Sequence, residues 1–122
     1  MIQLVFCLVR RTPLTHDAFL ARWLDVHGPL VRTHATALGI RRYVQVHTLS
    51  PAVYARIAAA RRAPVAYDGV AELWFDSLDA MHAAAATPEG RAAGRALLDD
   101  EREFIDLAAS PIWIGTPHVL VG

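Results

Sequence analysis

Apolar positions recur along this chain with two periods, and the switches between them mark its elements. Ile2 to Val9 is an apolar run broken only by Gln3 and rich in β-branched and aromatic residues, which reads as a strand buried on both faces. At about 100° per residue, Phe19, Leu20, Trp23, Leu30, Ala37 and Leu38 then share one helical face, with Arg22, Asp25 and Arg32 turned away. Thr15 is placed to cap this helix, with Asp17 in its first turn and Gly39 just past its end. Gly28-Pro29 interrupts it, so a kink, or two helices meeting at His27, is expected there.

Ile40 to Leu49 alternates as a second strand, with Tyr43, Gln45 and His47 on one face and Arg42, Val44, Val46 and Thr48 on the other. Pro51 and Pro64 bracket an Ala/Arg-rich segment that reads as a short helix, with Arg56, Arg61 and Arg62 as a solvated face or part of a lid over a site. Tyr67-Asp68-Gly69 signals a turn. Val70 to Phe75 is the third strand, with Val70, Glu72 and Trp74 opposite Ala71, Leu73 and Phe75. Ser77 and then Thr87-Pro88 start two helices, the second carrying Gly90, Ala93, Gly94, Leu97, Phe104, Ile105 and Ala108 on one face. Ser110-Pro111 ends it, and Ile112 to Val121 is read as the last strand, interrupted near Gly115 and Pro117.

The order is β-α-β-β-α-β, predicting an α+β, ferredoxin-like fold: a four-stranded antiparallel sheet with helices on one face. No repeat, linker or composition shift divides residues 1–122, so one domain is expected. Helices on one side would leave the other sheet face bare, about 400 Å² of strand surface. At about 25 cal/mol per Å² that is on the order of 10 kcal/mol of unrealised burial, as an upper bound. A homodimer closing that face is the expected remedy.

Composition narrows the function. Hydrophobic residues make up 54% of the 122, enough for a sizeable core. Twelve basic residues balance twelve acidic ones, which gives no footprint for nucleic acid or an anionic membrane surface. Cys7 is the only cysteine, Met1 leads straight into a strand with no signal-peptide pattern, and no apolar run approaches the roughly 20 residues that span a bilayer. A cytoplasmic protein is expected.

The candidate chemistry centres on histidine. His27 and His34 fall on the apolar face of the first helix, two turns apart, and a neutral imidazole can take or give a proton near neutral pH. A bond to a carbonyl freed by Pro29 is the alternative for His27, and a core or rim place is the alternative for His34. Glu101 sits at an apolar azimuth beside Gly90 and Gly94, where a carboxylate is costly unless paired; a pocket histidine is its natural partner, and a charged surface run from Asp100 to Glu103 is the alternative. Glu72 is a possible acid or a structural bond across a dimer. Tyr43 and Tyr67 could polarise a substrate carbonyl or simply pack; Asp68 could bind substrate or only shape its turn. Trp23, Trp74, Trp113 and Phe104 are read as pocket wall or core. No phosphate-binding glycine loop, nucleophile elbow or Cys/His metal spacing is present, so neither a metal nor a cofactor is expected.

Four pieces, WLDVHGPLV at 23–31, RYVQVH at 42–47, YDGVAELWF at 67–75 and DEREFI at 100–105, occur in order across nearly the whole chain. In combination they resemble the EthD family of the dimeric α/β-barrel superfamily. The resemblance implies a ferredoxin-like protomer, a homodimer whose sheets close a barrel, and a cavity between helices and sheet. It implies function more loosely. The family takes its name from ether-degradation clusters, where it accompanies an oxidising system; similar proteins act as lactone isomerases and as polyketide dehydratases or decarboxylases, without a cofactor. In the lactone-isomerase branch helix histidines lie in the pocket, and His27 and His34 are the positions here that could play that part. Two functions follow: a cofactor-free lyase, isomerase or dehydratase acting on a hydrophobic oxygenated metabolite, or a non-catalytic accessory protein of a catabolic monooxygenase system.

Overall fold

The computed structural model describes all of residues 1–122. Its elements run β1 (Ile2–Leu8), α1 (His16–Arg22), a π-helical turn (Trp23–His27), α2 (Gly28–Leu38), β2 (Arg42–His47), α3 (Pro51–Ala60), β3 (Gly69–Phe75), α4 (Leu78–Ala86), α5 (Pro88–Phe104), a 3-10 turn (Leu107–Ala109) and β4 (Ile112–Gly115). The strands form one antiparallel sheet in the order β2-β3-β1-β4, the ferredoxin-like arrangement. No helix is long and apolar enough to cross a membrane.

Strand alternation sorts the side chains onto two faces. Leu4 lies opposite Leu73 and Ile114, Phe6 opposite Ala71 and Ile112, and Leu73 opposite Tyr43, so these residues share the face that meets the helices. Phe6, Leu8 and Ala71 from the sheet pack with Phe19, Trp23, Phe104 and Ile105 into the core. The other face carries Gln3, Val5, Glu72, Trp74, Val44 and Trp113. No helix of the chain covers it, and Val46 and Trp113 there are about half exposed.

The first helix is capped as its sequence demands: Thr15 accepts from Ala18 N–H, and Gly39 takes the left-handed conformation at the far end. Between them two helices, α1 and α2, are joined by the π-helical turn that ends at His27, the irregularity expected at Gly28-Pro29. Pro29 has no N–H for the carbonyl four residues back and its ring presses on that turn. The chain widens just ahead of the proline instead, with Gly28 N–H donating to Trp23 O, five residues earlier. The amide nitrogen Nε2 of Gln45 in β2 donates to the same carbonyl at 3.0 Å, tying the wide turn to the sheet.

Two expected boundaries shift. α5 stops at Phe104, not beyond Ala108, because Ile105 turns into extended backbone to be buried and to bridge Arg10. β4 ends at Gly115, well short of Val121. Gly115 pairs with Gln3, only the second residue of β1, so the antiparallel ladder runs out of partner there; Val119, Leu120 and Val121 lie in solvent. The uncertain segment holds α3, a helix broken at Tyr54 with no buried residue, and Arg56, Arg61 and Arg62 are exposed there as a solvated face.

Gly69 opens β3 directly against the Trp23 ring. A Cβ at this position would lie 2.5 Å from the indole and 2.8 Å from the Val46 carbonyl. Gly69→Ala should therefore cost about 1–3 kcal/mol by overpacking. A urea melt checks this; an unchanged midpoint would show that the indole yields without penalty.

Candidate functional site: a histidine between two carboxylates

A cavity of about 310 Å³ lies between the helices and the sheet. Its wall is mainly aliphatic and aromatic, and its chemistry is confined to His27, Tyr43 and Glu101. Trp23, His27 and Val31, each four residues on, bring one stripe of the first helix to the cavity, and Leu38 continues it.

His27 is 5% exposed and lies between two neighbours on α5. Its Nδ1 is 2.8 Å from Asp100 Oδ2, and its Nε2 is 4.0 Å from Glu101 Oε2. Asp100 is held in turn by Arg22, whose Nη2 and Nη1 donate to its two oxygens at 2.6 and 3.2 Å. This fork keeps the Asp100 carboxyl below the ordinary carboxylate range, with the His27 hydrogen bond adding to it. Burial pushes His27 down despite Asp100, so the ring is neutral near pH 7. A neutral ring beside an ionised carboxylate carries its proton on Nδ1 and donates it to Asp100. The Nε2 lone pair is then left facing Glu101. Glu101 is pushed up to about 7, first by burial and then by the charge of Asp100. A separation of 4.0 Å is too long for a hydrogen bond. A basic nitrogen and a carboxyl that loses its proton only near neutrality thus stand side by side on the cavity wall.

Tyr43 supplies the third group. Gln45 Nε2 donates to Tyr43 Oη at 2.7 Å, and His47 Nε2–H donates to Gln45 Oε1 at 2.8 Å. The Trp23 carbonyl fixes which end of the Gln45 amide is nitrogen. Tyr43 therefore accepts from within the chain and its own O–H remains free to donate. Burial raises its pKa, which keeps that proton in place. Phe104 backs the site from below: its ring centroid is 5.2 Å from that of His27, and the Arg22 guanidinium lies 5.0 Å over it.

The structure gathers His27, Glu101, Tyr43 and Trp23 around one cavity and separates the other candidates. His34 is half-buried beside the lining stripe, because the wide turn rotates the following helix and brings Val31, not His34, to the cavity. Phe104 is fully buried behind His27 and is not a wall residue. Glu72 and Trp74 lie on the opposite sheet face, away from the cavity. Tyr67 borders a separate hollow beneath α3. Asp68 there accepts from the Arg10 backbone and guanidinium and faces His16 Nδ1 at 2.7 Å, while His16 Nε2 donates to Thr48 O. Burial alone would raise Asp68, but these donors outweigh it and hold it below its usual range. With acceptors on both nitrogens, His16 is raised and favours the imidazolium. That cluster locks three segments together and leaves Asp68 no free oxygen to bind a substrate.

Sequence reasoning missed Asp100 and Arg22. An ideal α-helix points Arg22 away from His27, but a π turn brings residues five apart together, so both reach Asp100. The signal was Gly28-Pro29, which announces an irregular turn without naming its type. No group of three or more His, Cys, Asp and Glu side chains is arranged to hold a metal ion.

The EthD domain, as a sequence profile, matches residues 11–108. The chain belongs to the EthD family. Among solved structures, an EthD family protein of Bacillus halodurans is 22% identical, with a TM-score of 0.62, covering 97% of this chain and 99% of its own. A dimeric protein of ferredoxin-like fold from Bacteroides fragilis is 14% identical, with a TM-score of 0.59 and 95% coverage of both chains. A variant of SnoaB, a cofactor-independent oxygenase from Streptomyces nogalater, is 16% identical, with a TM-score of 0.59, covering 99% and 97%. At these identities the likeness is one of fold. A comparison with curated proteins gives no match.

Proposed function

We propose that this EthD protein catalyses cofactor-independent proton transfer on a hydrophobic oxygenated metabolite. The observation that carries the reading is the His27 ring, oriented by Asp100 on one nitrogen and set beside a raised Glu101 carboxyl on the cavity wall with the other. Tyr43 O–H binds the substrate carbonyl oxygen. His27 Nε2 removes a proton from the adjacent carbon, breaking that C–H bond, and the electron pair moves into an enolate held by Tyr43. Glu101 delivers its proton to the position that completes the isomerisation, or to the leaving group of a dehydration. The imidazolium then returns its proton to Glu101. Asp100 and Arg22 are positioning residues: they fix the tautomer and favour the charge that develops on the ring.

A screen of lactones, β-keto acids and related carbonyl compounds by thermal shift, followed by incubation of each hit in D2O, tests this. Deuterium should enter the substrate next to its carbonyl. His27→Ala should slow that exchange by about 10²–10⁴-fold. Equal rates in both proteins would remove His27 from the mechanism. Binding without exchange would leave the cavity as a ligand store, the accessory role that the sequence leaves open.

We infer further that the bare sheet face closes against a second copy. Val5, Val44, Val46, Trp74 and Trp113 make this face apolar, and a neighbour of the same fold is dimeric. Light scattering should give twice the chain mass of 13.4 kDa. A monomer at micromolar concentration would exclude it.

A further inference from the structure

Two glycines stand about one turn apart in α5, for different reasons. Gly90 is buried, and a Cβ on it would collide with the Ala84 carbonyl of α4, so packing requires it. Gly94 has no such reason. Its backbone is ordinary right-handed helix, and a Cβ there would meet nothing beyond its own helix within 4 Å. Glycine in a helix interior is destabilising relative to alanine. Neither backbone nor neighbours explain why α5 carries one here. The empty space belongs to the cavity, which Gly94 lines with Leu97, Leu98 and Glu101. Gly94 precedes Glu101 by one heptad, a difference of about 20° around the helix. A side chain at 94 would therefore point the same way as that carboxyl.

The cavity is long. Leu4, Phe6 and Leu8 all line it, so its floor runs about 13 Å along β1. Glu101 belongs to one end, since it lies one turn before Ile105, which bridges Arg10 just past Leu8. Gly94 belongs to the other end, about 10 Å back along α5 and next to the turn that packs on Ala84. Met81 of α4 and Phe75, the last residue of β3, line the wall there too. Spread over that length, about 310 Å³ is a narrow bore that suits a chain more than fused rings.

We propose that Gly94 sets the length of the ligand. The oxygenated group sits among His27, Glu101 and Tyr43, and an unbranched apolar tail runs along the sheet into the room left beside Gly94. This rests on the cavity taking a ligand, as proposed above, but not on His27 acting as a base.

γ-Hexalactone and γ-decalactone share one ring and differ only in tail length. Titrated calorimetrically, the longer should bind the parent protein at least about tenfold more tightly. Gly94→Leu fills the far end, and should cut that advantage to within about twofold while affinity for γ-hexalactone is kept. Gly94→Ala, the milder change, should also raise the melting temperature by about 2–6 °C, because it improves the helix without touching a neighbour. An advantage that survives Gly94→Leu undiminished overturns the inference and leaves the ligand reading standing. So does a lower melting temperature for Gly94→Ala, which would make the glycine a requirement of the fold. Failure of both lactones to bind the parent overturns the inference and the ligand reading together. A tail-length preference that depends on Gly94, alongside absent deuterium exchange, would support the inference and sink the catalytic reading alone.

Discussion

Glu101→Gln should make the folded protein more stable, by on the order of 2–3 kcal/mol at pH 8, while removing the proposed proton donor. Folding moves this carboxyl from an ordinary 4.5 to about 7. Between those values the unfolded chain has released the proton and the folded chain has not, so the residue lowers stability as pH rises through the window. Above about 7 the full penalty for a buried charge is present. At about 1.4 kcal/mol per pH unit the interval is worth about 3.5 kcal/mol, reduced to about 2–3 because the side chain is 19% exposed. Glutamine cannot ionise, so its advantage should be near zero at pH 4 and complete by pH 8. The low-lying pKa values of His27 and Asp100 act in the opposite sense, withdrawing stability as pH falls, but they are common to both proteins and cancel in the comparison. Urea melts at pH 4 and pH 8 check this. A loss at pH 8, or the same gain at both, would show that Glu101 is not a strained acid. Catalysis should fall in the variant as stability rises, which is the pattern of a group retained for function.

Phe104→Ala should cost about 3–5 kcal/mol, a large share of the 5–15 kcal/mol that holds a typical domain together. The ring is fully buried. Its centroid stands 5.5 Å from that of Phe19 and 5.2 Å from that of His27, so its removal opens a void beside both rings. Phe104→Leu, which fills most of that void, should lose much less and keep the His27 resonances in place by NMR. If the alanine variant melted like the parent, the packing of α5 against α1 would be carried elsewhere.

Much of the fold follows from local rules that act within a few residues. Alternation in β2 and β3 put Tyr43, Ala71, Leu73 and Phe75 toward the helices, and Thr15, Ser77, Thr87 and Gly39 start or stop helices by capping chemistry. The EthD resemblance extended this to the whole chain. The site was only partly legible because its geometry depends on a departure from periodicity. His27 and Glu101 lie on apolar faces and could be found by counting 100° per residue. Arg22 and His34 could not be placed this way, since the π turn between Trp23 and His27 breaks the count. Asp100 looked like surface charge because its role needs a guanidinium delivered from another helix. Glu72 lies on the bare sheet face, which removes it as a cavity acid and leaves the alternative of a bond across a dimer, because alternation alone does not say which strand face meets the helices.

The three tryptophans are divided between the two sides of the sheet. Trp23 forms part of the cavity wall and stacks on His47 with 4.8 Å between centroids, while Trp74 and Trp113 belong to the bare face. Natural fluorescence therefore contains two separable signals. Emission from Trp23 should respond when a solute enters the hollow, whereas the other indoles should respond to dilution as copies part. A chain keeping only one class would let occupancy and self-association be followed independently, without any attached dye.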